Sequence, residues 1–382
     1  MDWLQPANCC IRLSEPSCES RTGSLKADFL IIGGGIAGLS TAQCLLQKGA
    51  SVTLLERGIT GQEASWAGGG ILSPLFPWDY SDDVIRLTSR GASLFPAWTR
   101  EMHELTGIDS EYDVCGMLAL PPFDALAALQ WCGKRQHSSR NRADTVSHEL
   151  HGQEGAIFLD DVAQVRNPRL LRALRAHVVS LGARIVERCA VNEIETAKEN
   201  VISLRTSGGK VSAHAYIVTA GAWSKEILGR LALRLEIKPV RGQMLLFKFD
   251  RMPLGHIVVQ EDLYLIPRRD GHVLVGSTLE DVGFDRSITM EVRAMLWKRA
   301  QKVLPSLKGM QPVQHWAGLR PASPRNIPTI GRHPELNNLY LNSGHFRYGV
   351  TMAPAAAEIL CNELFGLPQP FDITPYRSGW GV

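Results

Sequence analysis

Apolar positions along this chain arrive in two different rhythms. Near the start, Phe29–Ile32 is a continuous apolar run of the length of a buried parallel strand, followed by glycines and by a helical pattern that closes at Lys48 and Gly49, a C-cap pair. A second apolar run, Val52–Leu55, ends on Glu56. This spacing predicts a strand, a tight turn, a helix and a second strand. The same alternation returns in NPRLLRALRAHVVSLGARIVERCAVNEIE, with a helix over Pro168–Leu181 and a strand over Arg184–Val191. Tyr216–Thr219 reads as another apolar strand, running into the small residues Ala220–Ala222. Finally, NLYLNSGHFRYGVTMAPAAAEILCNELFG predicts a strand at Leu339–Leu341, a polar loop at Ser343–Gly349 and a helix over Met352–Phe365.

The second rhythm has strands without intervening helices. MLALPP, PVRGQMLLFKF, LYLIPRR and HVLVGST follow this pattern, with a turn signal, RDG, at 269–271. They predict an antiparallel sheet interleaved with the first pattern. The expected fold class is therefore α/β: a discontinuous Rossmann-like nucleotide-binding domain with a second, α+β substrate domain built on an antiparallel sheet. The expected division gives 27–106, 151–236 and 318–382 to the first domain, and 107–150 and 237–317 to the second. Residues 1–26 mix Pro6, Arg12, Glu15, Pro16 and Arg21 without a signal-peptide core and are expected to form a disordered extension.

Composition narrows the class without naming a partner. The 382 residues are 45% hydrophobic, enough for a large core. A formal charge of +3, from 41 basic and 38 acidic residues, offers no field for nucleic acid or an acidic membrane surface. No run approaches the roughly 18 apolar residues of a membrane span. Of the eight cysteines only Cys9 and Cys10 are close neighbours, and no spacing suits a zinc or dithiol site. No metal is expected, and a reducing, cytoplasmic setting fits.

The chemistry begins where the first strand ends. Gly33, Gly35 and Gly38 spell GxGxxG at the opening of a helix, and Glu56 ends the next strand. Glycines let the backbone approach a pyrophosphate, the helix N-terminus supplies N–H donors, and the acid accepts from a ribose hydroxyl. A second glycine loop, Gly68–Gly70, follows Ser65 and adds backbone donors for a large dinucleotide. Arg320 in WAGLRP carries a planar fork suited to a carboxylate or phosphate, although a structural salt bridge would use the same residue. Tyr264, read from its setting alone, is a cross-strand aromatic.

Taken together, GGGIAG, ASWAGGGIL, TAGAW, PVRGQ, YLIPRRDGHVLVGST, WAGLRPASPRNIPTIGR and GHFRYG, in that order, resemble the D-amino-acid oxidase family over residues 27–367. Within it, the bacterial glycine oxidases of thiamine biosynthesis are most similar. The resemblance implies non-covalent FAD. It places Glu56 and Arg57 at the adenosine ribose, Ile36 and Ala37 at the helix start, and Ala64, Ser65, Gly69, Gly70 and Ile71 along phosphate and flavin. Val191 would meet the adenine end through its main chain. His345, Phe346, Arg347, Tyr348, Gly349, Val350 and Thr351 would run under the isoalloxazine. Arg320, Tyr264 and Arg347 would hold the substrate carboxylate, and no general base is assigned. Asp262 is expected to be a solvated carboxylate at the rim.

The reaction so implied is oxidative deamination. Hydride passes from Cα to flavin N5, O2 becomes H2O2, and the imine is hydrolysed to a 2-oxo acid and ammonia or supplied for thiazole synthesis. Glycine, sarcosine and small D-amino acids all remain open as substrates; Leu279 stands where such enzymes can carry methionine. A D-amino-acid dehydrogenase, a sarcosine-type oxidase and a non-catalytic FAD-binding scaffold are the alternatives. No cysteine lies between Cys189 and Cys361 to anchor a covalent flavin near WAGLRP. Members of the family are often homo-oligomers.

Overall fold

The computed structural model describes residues 26–134 and 150–381. The expected disordered extension lies outside the described residues except for Lys26, which opens the first strand. Two sheets organise the chain.

The first sheet is centred on β1 (Lys26–Ile32), flanked in parallel by β2 (Val52–Leu55) and by β8 (Gly209–Val218). Ile31 stands opposite Leu54 on one side and Ile217 on the other. Beyond β2 lies β5 (Arg184–Val186), and beyond β8 lie β15 (Leu339–Ser343) and the antiparallel edge strand β14 (Thr329–Arg332). A hairpin of β6 (Val191–Ala197) and β7 (Asn200–Thr206) leads into β8. All four β2 residues are buried, as strands covered on both faces must be.

Alternation along these strands divides their side chains between two cores. Ile31, Leu54 and Ile217 pack against α1 (Ile36–Gln47), α2 (Asp82–Thr106), α3 (Asn167–Ser180) and α5 (Gly349–Leu364), through residues such as Leu39, Phe95, Leu174 and Ile359. Leu30, Ile32, Leu55 and Val218 face the other way, toward Val191, Leu204, Leu228 and Trp380.

The second sheet has the order β13 (Gln314–Ala322), β9 (Lys238–Lys248), β12 (His272–Gly276), β11 (Leu263–Pro267), β10 (Ile257–Gln260), β3 (Met117–Leu120) and β4 (Ile157–Leu159). Its odd and even positions also part company. Leu245, Phe247, Leu265 and Val275 meet Leu296 and Ala300 of the amphipathic α4 (Met290–Val303). Met244, Leu246, Tyr264, Ile266, Leu274 and Trp316 face the first layer, against Trp66, Ala67 and Leu75.

Three expectations need correction. The strand expected over Arg184–Val191 is two strands, because the chain turns at Arg188 in the left-handed region (φ 54°) and Cys189 N–H bonds the Glu56 carbonyl at 2.8 Å before β6 begins. A division after residue 150 precedes β4, which pairs with β3 in the second sheet. A division after residue 317 falls inside β13, which stays paired with β9 through Ala322. Arg320 is thus carried by the second sheet itself, which is antiparallel except where β3 runs parallel to β10. Asp262 lies just before β11 and takes an ion pair from Arg299 at 2.5 Å.

Helices α2 and α5 meet backbone to backbone at Gly91, where a Cβ would lie 1.9 Å from the Thr351 carbonyl oxygen. Gly91→Ala is expected to lower unfolding stability by about 1–3 kcal/mol through overpacking, read as a lower denaturant midpoint with an unchanged m-value.

Candidate cofactor and substrate cleft

Between the two layers runs a cleft that is open to solvent. One wall is the turn from β1 into α1. Gly33 there has φ +114°, and a Cβ on it would sit 2.7 Å from the Thr219 carbonyl oxygen; on Gly38 it would sit 2.0 Å from the Gly33 oxygen. Gly38 therefore serves helix-to-strand contact and does not line the cleft, whereas Gly33, Gly35, Ile36 and Ala37 do. The buried Glu56 carboxylate accepts the N–H groups of Gly34 and Gly58, each at 2.8 Å, and still borders the cleft. Arg57 and Val191 border it beside Glu56, with Arg57 paired to Glu63 at 2.9 Å.

The second glycine loop divides its roles. Ala64, Ser65 and Gly68 line the cleft, and Ser65 Oγ accepts the Ile36 N–H at 2.9 Å, joining the two loops at the helix start. Gly69, Gly70 and Ile71 lie outside the lining and work as anchors. The Gly69 carbonyl accepts from Arg268 Nη2 at 2.6 Å, the Gly70 carbonyl from Val165 N–H at 2.9 Å, and the Ile71 carbonyl from Thr351 Oγ1 at 3.1 Å. Burial, reinforced by the nearby Arg166, lowers the Arg268 pKa to about 10, so its guanidinium stays charged at neutral pH.

Past β15, His345, Phe346, Arg347, Gly349 and Val350 line the opposite wall at the start of α5. Tyr348 and Thr351, expected with them, turn into the helical core. Tyr348 packs edge-on to Tyr80 with ring centroids 5.1 Å apart. The His345 ring is buried with Nε2 unpartnered, and burial lowers its pKa to about 4. It is neutral at physiological pH.

Arg320 reaches the cleft by a geometry built into β13. Trp316, Gly318 and Arg320 alternate onto the face toward the first layer. Trp316 Nε1 donates to the Ala67 carbonyl at 3.1 Å, and a Cβ on Gly318 would lie 2.5 Å from Ala67 Cβ. The Arg320 guanidinium crosses β9 at Gly242, where a Cβ would fall 1.9 Å from Nη1, and bonds the Thr278 carbonyl (3.0 Å) and Ser277 Oγ (2.7 Å). Burial lowers its pKa; the Tyr264 hydroxyl and Glu280 oppose the shift, and Arg347 adds to it. Among the described residues neither Arg320 nor Arg347 has an ion-pair partner. Tyr264 is buried away from the open lining, its hydroxyl donating to Met244 Sδ at 3.1 Å. Two cations thus border the cleft without a carboxylate between them, and the phenol lies beside Arg320 behind the lining.

Residues not singled out from the sequence complete the walls, among them Glu63, Cys189, Trp223 and Asn342. Arg57 lies 3.6 Å over the Trp223 ring, which stacks at 27° on Phe284, while Arg286 pairs with Glu63 at 2.9 Å. The segment between β12 and α4 thereby bridges both layers. TAGAW had marked a close approach, but nothing local in the sequence joins Trp223 to Phe284. Among the described residues no group of three or more His, Cys, Asp or Glu side chains could hold a metal ion, and no helix is long and apolar enough to cross a membrane.

The family model for FAD dependent oxidoreductases matches residues 28–363. The chain belongs to that family. Among its relatives, a glycine oxidase of Pseudomonas aeruginosa is 41% identical, over 91% of this chain and 97% of that protein, and one of Pseudomonas putida is 38% identical, over 92% and 98%. The crystal structure of glycine oxidase from Geobacillus kaustophilus superposes with a TM-score of 0.86 at 26% identity, covering 92% of this chain and 98% of that one. The expected fold class holds, and the protein is an FAD-dependent amino-acid oxidase.

Gly242→Ala is expected to push the Arg320 guanidinium out of place, raising KM for amino acids at least tenfold while the flavin spectrum stays that of wild type. His345 gives a second test through pH. Its folded pKa lies below the ordinary value of about 6.5, so the neutral-histidine contribution is complete above that pH and is lost as pH falls toward 4. Denaturant unfolding across pH 7.5 to 4.5 should fall more steeply for wild type than for His345→Gln, by up to about 1.4 kcal/mol per pH unit.

Proposed function

We propose that this oxidase deaminates glycine and other small amines or D-amino acids, with Arg320, Tyr264 and Arg347 receiving the substrate carboxylate. The observation that carries the reading is the pair of guanidinium groups bordering the cleft, among the described residues without an acidic partner. A small carboxylate would complete that charge balance.

The residues present fit FAD. Two helix starts, at Gly35–Ala37 and at Gly349–Val350, border one cleft together with the unpartnered, buried His345 Nε2 and the Glu56 carboxylate. Gly33, Gly35, Ile36, Ala37, Ala64 and Ser65 would hold the pyrophosphate region, and Glu56 and Arg57 the ribose. Gly69, Gly70 and Ile71 would shape the loop behind the flavin. Val191 would touch the adenine, and His345, Phe346, Arg347, Gly349 and Val350 would border the ring. Bound FAD would supply a two-electron acceptor that O2 restores, with release of H2O2. We take it to be non-covalent, since the chain has no cysteine between Cys189 and Cys361.

The protein's part is to hold and orient. Arg320 keeps its bonds to Ser277 and Thr278 on one side and has further N–H donors for a carboxylate. Each charge-assisted bond is worth about 1.5–3 kcal/mol. The Tyr264 hydroxyl would exchange the weak acceptor Met244 Sδ for a carboxylate oxygen. Arg347 adds positive potential, and the start of α5 favours negative charge near the ring. No side chain is assigned to take a proton, so the amine would enter uncharged and the imine would leave for hydrolysis.

Supply of the glycine imine for thiazole synthesis in thiamine formation follows from likeness to proteins described as bifunctional ThiO/ThiG, such as that of Trichormus variabilis, 31% identical over 88% of this chain and 52% of that protein. A cytoplasmic enzyme, acting as a homo-oligomer, suits that role.

An amino-acid and amine panel scored for H2O2 tests the reading, with glycine expected among the best substrates. Flavin bleaching without peroxide in air would favour a dehydrogenase, and no bleaching by any amine a scaffold. Arg320→Ala is expected to raise KM by about 100-fold or more, with FAD retained. Loss of FAD with it would assign that residue a structural role.

A further inference from the structure

We propose that Glu280 is a positioning residue for substrate binding: it clamps the segment whose two acceptors aim the Arg320 guanidinium. This rests on the reading of Arg320 as the carboxylate receiver. The argument begins with β9, where Arg241, Gly242 and Gln243 alternate across the sheet. Gly242 leaves one face bare, and Arg320 crosses there. Arg241 and Gln243 project from the other face, both buried, and both bind Glu280.

The contacts close a circuit. Glu280 Oε2 accepts from Arg241 Nη2 at 2.7 Å, and Oε1 from Gln243 Nε2 at 3.0 Å and from Thr278 Oγ1 at 2.5 Å. Arg241 and Glu280 also exchange backbone bonds of 2.9 Å in each direction, and Gln243 N–H donates to Thr278 Oγ1 at 2.9 Å. Thr278 is thus held by backbone and side chain together. Its carbonyl and the neighbouring Ser277 Oγ receive the two Nη atoms of Arg320.

A partly buried carboxylate taking three side-chain donors is a strong local constraint. It also accounts for the acid's position two residues beyond Thr278, on the segment and not on β9. With Glu280 in place the segment has one register, and the guanidinium fork has one orientation. Without that charge Arg241 keeps Asp285, at 2.6 Å, and Gln243 keeps Thr289 and His315, so β9 stays anchored while Thr278 loosens. The effect should reach substrate through Arg320, leaving FAD uptake alone.

The test uses the holoenzyme and four variants, E280Q, T278V, T278S and R320A, with glycine turnover and with acetate binding read from the flavin absorbance. E280Q is expected to raise KM for glycine and Kd for acetate about tenfold, with kcat within about twofold and the flavin content of wild type. T278V, lacking the hydroxyl, should behave likewise, and T278S, which retains it, should restore wild-type values. Unchanged KM and Kd in E280Q, when R320A raises both, overturns the proposal while leaving the carboxylate reading intact. If R320A itself leaves both unchanged, that reading fails instead. Should E280Q not accumulate as a folded flavoprotein, T278V and T278S decide by the same measurements.

Discussion

Everything in this molecule depends on how closely the backbone of β1, the start of α1 and the end of β8 can meet. The Gly33 carbonyl lies between Gly38 and Thr219, whose hydroxyl donates to it at 2.8 Å, and a Cβ on Gly38 would fall 2.0 Å from that oxygen. A side chain there would push α1 away from the sheet. With α1 seated, its first N–H groups lie at the carboxyl ends of parallel strands, where an open α/β sheet leaves a crevice. Ser65 and Glu56 then fasten the second glycine loop and the β2 end to the same turn.

The second sheet supplies what that crevice lacks. Its alternation gives one face to α4 and turns the other, with Tyr264, Met244 and Trp316, toward the first layer. β13 is the hinge of this arrangement in a chemical sense. Trp316 bonds Ala67 of the glycine loop, Gly318 lets the two backbones close, and Arg320 extends over Gly242 into the cleft. A guanidinium is costly to desolvate, and here that of Arg320 is met by a carbonyl, a hydroxyl and a tyrosine, leaving its charge for a ligand.

Much of this was legible in the sequence because it rests on local chemistry. The apolar runs at Phe29–Ile32 and Val52–Leu55, the GxGxxG spacing and the terminal acid define a nucleotide-binding unit within one contiguous stretch. The strand-only rhythm of the second sheet was legible for the same reason. Less so were the breaks: the turn at Arg188 depends on one residue with positive φ, and the division between layers depends on pairings such as β4 with β3, which carry no mark in either segment. Tyr348 and Gly69 sit within motifs that line the cleft, but helix phase and the pull of Arg268 direct them elsewhere.

The sequence by itself determined the elements, their two rhythms and the presence of a dinucleotide cofactor, since hydrophobic period and glycine spacing act over a few residues. Only the tertiary structure decided which polar groups meet. Arg320 and Ser277 are 43 residues apart, Arg241 and Glu280 are 39 apart, and Arg286 reaches Glu63 across 223. Such meetings are set by strand register and by the space that missing side chains leave, quantities that exist only once both sheets have formed and closed on each other.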